Sequence, residues 1–100
     1  MTQYALFAEL KAKPGKEEEL ASLLLGAQGL VVDEGGTIAW LAVRFDKGTF
    51  AVFDAFDDEA GRQAHLNGRV AEALMARAGD LLEGAPEIRR ADVLADKLPS

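Results

Sequence analysis

Thr49-Phe50-Ala51-Val52-Phe53-Asp54-Ala55-Phe56 runs straight into Asp57-Asp58-Glu59-Ala60-Gly61-Arg62-Gln63-Ala64-His65-Leu66-Asn67-Gly68. The first eight residues alternate Phe and Val with small residues, the composition of a strand on a buried or half-buried sheet. The residues that follow open with acids and continue at helical spacing. Asp57 is the natural N-cap, since its carboxylate can accept free amides of the first turn. Asp58 and Glu59 then stand where the helix dipole favours negative charge. The chain therefore passes sharply from strand to helix. The only histidine, His65, follows about two turns later, flanked by Arg62, Gln63 and Asn67.

Working back, Gln3 to Ala12 reads as a first strand, with Tyr4, Leu6, Ala8 and Leu10 on one face and Ala5, Phe7, Glu9 and Lys11 on the other. Lys13-Pro14-Gly15 ends it. Lys16 to Glu19 opens a helix whose stripe is Leu20, Leu23, Leu24, Ala27 and Val31. Gly26 and Gly29 weaken that helix by about 1 kcal/mol each relative to Ala, and their reading as close-packing positions stays open. Asp33 to Gly36 is a loop. A second strand covers Thr37 to Phe45, with Ile38, Trp40, Ala42 and Arg44 opposed to Ala39, Leu41, Val43 and Phe45. Asp46-Lys47-Gly48 joins it to the third strand as a hairpin.

Beyond the opening stretch, the second helix runs from near Asp58 towards Met75, with Gly68 as a possible break. Ala71, Leu74, Met75 and Ala78 continue its stripe, and Leu81-Leu82 join the same buried edge. Glu83 to Pro86 ends the helical region, Glu87 to Ala95 is a fourth strand, and Lys97 to Ser100 is a tail. Strand, helix, strand, strand, helix, strand is the order of a ferredoxin-like α+β fold. Four antiparallel strands form one sheet with both helices on one face. Strands two and three are apolar on both sides, so the open sheet face should meet a second copy in a homodimer.

One hundred residues suggest one domain, residues 1–100, able to bury one modest core. The net charge of −6, with no basic run, argues against nucleic acid and against an anionic membrane surface. The first residues lack the basic region of a signal peptide, and no apolar run spans a bilayer. The chain has no cysteine, which fits a reducing, cytoplasmic setting. One histidine and no thiolate leave no metal site, and the glycines fit neither a dinucleotide nor a phosphate loop. No bound cofactor is expected.

His65 is the one side chain that titrates near neutrality, as a general base or as a donor to a bound oxygen. Its ring is expected to face a cavity between the second helix and the sheet. Ala60, Ala64 and Ala71 let the helix approach, and Gly61 and Gly68 leave room beside the ring. In an apolar pocket burial would keep the ring neutral, and its removal would change stability little. Trp40 reads either as the wall of an aromatic pocket or as packing, and Tyr4 is similarly ambiguous. Asn67 reads as a ligand donor or a helix-end group. Asp54, a carboxylate in an apolar strand, demands a partner. Arg44, Arg62, Arg89 and Arg90 are the candidates, and an ion pair outweighs catalysis as its role.

The pattern Phe53-Asp-x-Phe-x-Asp-Glu-Ala-x-Arg-x-x-His-Leu-x-Gly68 resembles the antibiotic biosynthesis monooxygenase family. The resemblance takes in Phe7-Ala-Glu-Leu-Lys-Ala-Lys-Pro-Gly-Lys-Glu-Glu-Glu-Leu20, Glu34-Gly-Gly-Thr-Ile-Ala-Trp40 and the ending Pro86-Glu-Ile with Asp92 to Pro99. It implies a homodimeric α/β barrel that oxygenates a small aromatic phenol, quinol or anthrone with O2, without metal or flavin. It implies that His65 is catalytic, with Trp40, Asn67 and Arg62 as substrate-binding candidates; Tyr4 joins them on its phenol alone. A non-catalytic small-molecule-binding or stress-response dimer is the alternative. Haem-degrading relatives pair a helix His with an Asn on strand one. Here that strand has Gln3 and no Asn, so the haem reading ranks third.

Overall fold

A computed structural model describes residues 3–98; Met1, Thr2, Pro99 and Ser100, including half of the expected tail, lie outside the described residues. In order, the elements are β1 (Tyr4–Lys11), α1 (Glu17–Val31), β2 (Thr37–Asp46), β3 (Thr49–Phe56), α2 (Glu59–Leu66), α3 (Arg69–Leu81) and β4 (Glu87–Asp92). The sheet order is β2-β3-β1-β4, and every pairing is antiparallel. This is the ferredoxin-like arrangement expected from the sequence.

The core lies between the sheet and the helices. Leu10, Leu20, Phe56 and Leu81 are its most deeply buried large side chains. One cluster joins Leu10, Leu20, Leu24, Phe50, Val52, Leu81 and Leu82, and Trp40 packs against it from β2. Burying each such Leu or Phe contributes about 1.5–3 kcal/mol. A second cluster holds Ala27, Val31 and Val70, again with Trp40 against it. The Leu81-Leu82 edge is locked in place by backbone bonds. Lys13 N donates to Leu81 O, and Glu83 N donates to Lys11 O. The opposite sheet face carries Phe7, Leu41 and Phe53 in cross-strand register. The Phe7 and Phe53 rings lie 4.6 Å apart, and Leu41 and Phe53 are exposed.

Three details differ from the sequence reading: the α2 cap, the β2 alternation and the end of β4. The α2 cap is Asp58, whose Oδ1 accepts from Gly61 N at 2.7 Å, one residue later than expected. The second helical stretch is two helices, split at Asn67-Gly68, the break that Gly68 offered in the sequence. A Cβ at Gly68 would sit 3.1 Å from Ala64 O and 3.2 Å from Glu34 Oε2, so only glycine fits this junction without displacement. The β2 alternation shifts between Thr37 and Ala39. Strand β4 stops at Asp92, where its pairing with β1 runs out at Tyr4. As for Gly26 and Gly29, a Cβ at either would meet nothing within 4 Å, so neither serves close packing. Asp46 Oδ1 closes the β2–β3 hairpin by accepting from Gly48 N and Thr49 N.

Candidate functional site

His65 is buried on α2, and both of its ring nitrogens face carboxylates. Nε2 lies 2.6 Å from Asp54 Oδ2 on β3. Nδ1 lies 2.5 Å from Glu34 Oε1 in the loop between α1 and β2. Asp54, expected to pair with an arginine, pairs with the histidine instead. The four candidate arginines are either committed elsewhere or have no contact with it. Arg44 bonds Glu18, Arg62 and Arg90 bond Glu59, and Arg89 stands opposite Phe7 on the other sheet face.

Glu34 reaches the ring because of two glycines. The Asp33–Gly36 loop lies backbone against backbone on α2, where a Cβ at Gly61 would be 2.9 Å from Gly36 O. Gly68 leaves room for the far oxygen of Glu34, which a Cβ there would approach to 3.2 Å. The expectation that Gly61 and Gly68 open space beside His65 is thus corrected: both spaces are filled, one by the loop and one by a carboxylate. Thr37 Oγ1 donates to Glu34 Oε1 at 2.9 Å and fixes it further. Glu34 Oε2 is buried with no partner, and so is Trp40 Nε1.

Burial of the ring opposes its charge, but the hydrogen bonds its N–H groups donate to Asp54 and then Glu34 outweigh that cost. The charges of the two carboxylates add to the effect, and the His65 pKa is raised above its ordinary 6.5. The expected neutral imidazole is therefore corrected to one that favours the imidazolium. An apolar wall would have lowered the pKa; two carboxylates within hydrogen-bond reach reverse the sign.

The Asp54–His65 pair borders a cavity of about 270 Å³ between α1, α3 and the sheet. Its walls include Leu6, Leu24, Val52, Val70 and Leu74. Among the described residues, Ser22, exposed on α1, is the only other polar side chain that borders it. The expectation that His65 faces a cavity and not bulk water matches this geometry.

The other expected site residues lie elsewhere. Trp40 packs between the two core clusters and borders a separate groove along β2. Arg62 is buried and structural: its Nη1 donates to Ala5 O and Ala91 O, and its guanidinium sits 5.0 Å from the centre of the Tyr4 ring. Tyr4 serves that stack. Asn67 is exposed at the end of α2, where its backbone N–H donates to Gln63 O and the next amide, Gly68 N, donates to His65 O. None of these four lines the cavity that His65 lines. Asp54 and Glu34 are the residues that sequence reasoning misplaced. One signal was present, since a carboxylate inside an apolar strand needs a cation, and His65 on the adjoining helix can supply one as well as an arginine can. Glu34 carried no signal, because its position depends on a tertiary glycine contact. Among the described residues, no three His, Cys, Asp or Glu side chains converge as metal ligands. Haem ligation fits poorly, because Nε2 would have to leave Asp54. Among the described residues no helix is long and apolar enough to cross a membrane.

No family model matches the chain, and no curated protein matches it. Solved structures do. A Nitrosomonas europaea protein of unknown function is 56% identical over 100% of this chain and 97% of its own, with a TM-score of 0.98. A Caulobacter crescentus protein provisionally named an antibiotic biosynthesis monooxygenase is 23% identical, with a TM-score of 0.81, over 94% of this chain and 92% of its own. A second Nitrosomonas europaea protein with the same provisional name is 14% identical, with a TM-score of 0.82, over 92% of this chain and 90% of its own. The chain therefore belongs to one family with the first Nitrosomonas europaea protein and shares the fold of the antibiotic biosynthesis monooxygenase-like proteins, as its sequence motifs implied.

Proposed function

We propose that this protein is a monooxygenase that acts on a small aromatic phenol or quinol with O2, without metal or flavin. The observation that supports this is the apolar cavity bordered by Asp54 and His65, with Glu34 on the far nitrogen of the ring. A hydroxyaromatic supplies its own electrons once it loses a proton. One oxygen atom enters the ring carbon and displaces hydrogen, the other leaves as water, and the ring is oxidised to a quinone. The protein's part is to exclude water, take the proton and stabilise the resulting anion. His65 supplies the positive charge of the site. In this reading two copies pair through the open sheet face that carries Phe7, Leu41 and Phe53.

One feature favours a second reading, a small-molecule-binding dimer without turnover. Both nitrogens of His65 are already engaged, which also makes the array a clamp that ties the loop and α2 to β3. Oxygen uptake against a panel of quinols and naphthols separates the two. The enzyme reading expects O2 consumed one-for-one with substrate, and a loss of about 10²-fold or more in His65→Gln. Ligands that bind tightly with no uptake would sink the oxygenase reading and leave the binding one.

A further inference from the structure

We infer that Asp54 is the residue that meets the ligand: its free carboxylate oxygen accepts the hydroxyl of a neutral one- or two-ring aromatic, while His65 and Glu34 act through it. The inference rests on the reading of the cavity as the substrate site.

The first argument is steric and electronic. Both His65 nitrogens point at carboxylate oxygens, which leaves the ring neither a lone pair nor an N–H to offer into the cavity. Asp54 borders the cavity and uses Oδ2 on His65. Its Oδ1 is then the acceptor that a ligand in the cavity can reach. The second argument is charge. With the ring protonated, Asp54, Glu34 and His65 together carry two negative charges and one positive. A ligand with its own carboxylate would bring a further negative charge into an apolar space, a costly arrangement. A neutral donor would gain a charge-assisted hydrogen bond. The third argument is size. A buried apolar cavity of about 150 Å³ takes benzene, so about 270 Å³ leaves room for a second fused ring.

The step this sets up is a proton transfer with no change in electron count. The substrate O–H bond breaks, an O–H bond forms on Asp54 Oδ1, and the charge passes to the substrate oxygen. The Nε2–H of the imidazolium stays on Oδ2, so the new anion forms beside a fixed positive charge. Asp54 is catalytic in this scheme, and His65 and Glu34 are positioning residues.

The test is titration calorimetry on the full chain with 2-naphthol and with naphthalene-2-carboxylate, which share a ring system and differ in charge. Wild-type protein should bind the naphthol at least about tenfold more tightly. Asp54→Asn should weaken naphthol by about fivefold or more and narrow the gap. Glu34→Gln should keep the preference, but naphthol affinity should fall away at a lower pH than in wild type, because the ring loses one of the carboxylates that hold its proton. A merely structural Glu34 would leave that pH profile unmoved. Equal binding of the two ligands, no binding of either, or an unchanged Asp54→Asn overturns the inference. The naphthol–carboxylate comparison needs no variant, so it decides even if Asp54→Asn fails to fold. The expected binding pattern without oxygen uptake sinks the oxygenase reading alone. Uptake that Asp54→Asn leaves intact sinks this inference alone.

Discussion

Gly36 and Gly61 meet backbone to backbone: a Cβ added to Gly36 would lie 2.9 Å from Gly61 Cα. That contact holds the Glu34 loop on α2 and brings a carboxylate to His65 Nδ1. A side chain at Gly61 would press on Gly36 O, a backbone atom with no flexible end to yield. Gly61→Ala should therefore cost about 1–3 kcal/mol, the usual range for overpacking. It should also part Glu34 from the ring. Urea denaturation measures the first effect, and a lower His65 pKa by NMR titration measures the second. A variant of wild-type stability with an unmoved titration would refute the arrangement.

The raised pKa of His65 fixes a pH dependence. The unfolded ring titrates near 6.5 and the folded ring higher. The folded state thus binds the proton more tightly, and the stability this contributes is complete below about 6.5. It declines as pH rises from there through the folded pKa. Denaturation midpoints from pH 6 to 9 should fall across that window in wild type, and the part due to this group should vanish in His65→Gln. His65→Ala should be strongly destabilising, by about 3 kcal/mol, since it strands two carboxylates without their cation. The two ion pairs argue for this loss in place of the little stability change expected from the sequence.

The fold was legible because each element carried its own period and its own stop signal. Alternation in Tyr4–Lys11 and Thr49–Phe56, the Leu20–Leu24–Ala27 stripe, and the Asp46–Gly48 hairpin are all local. The site was legible in part. His65 stood out as the lone titratable side chain near neutrality, but its partners were set by long-range contacts. Asp54 reaches it from the neighbouring strand. Glu34 lies 31 residues away, and a loop packed on Gly61 delivers it. A residue type that can pair with several arginines gives no means of choosing a histidine until the chain is folded. Arg62 misled for the same reason, as its bonds to Ala5 O and Ala91 O follow from strand pairing.

The open sheet face predicts association. Leu41 and Phe53 are 55% and 45% exposed, a large apolar pair for the centre of a sheet. Phe53→Lys should break up a dimer formed through this face without unfolding the chain, because the Phe53 side chain is outside the helix-covered core. Light scattering at micromolar concentration should give twice the chain mass for wild type and one chain mass for the variant. A wild-type monomer would refute the pairing.

Arg62 separates a structural role from a ligand-binding one. Its Nη1 bridges carbonyls of β1 and β4, its guanidinium bonds Glu59, and its plane lies over Tyr4. Lysine keeps the charge but has no planar fork, so it cannot hold the carbonyls, the carboxylate and the ring at once. Arg62→Lys should lose about 2 kcal/mol, within the range for hydrogen bonds to a charged group. Because Arg62 does not line the cavity, 2-naphthol affinity should stay within about twofold of wild type at temperatures where the variant is folded. Calorimetric melting and ligand titration on the same preparation check both halves. A stable variant that has lost its ligand would return Arg62 to the substrate site.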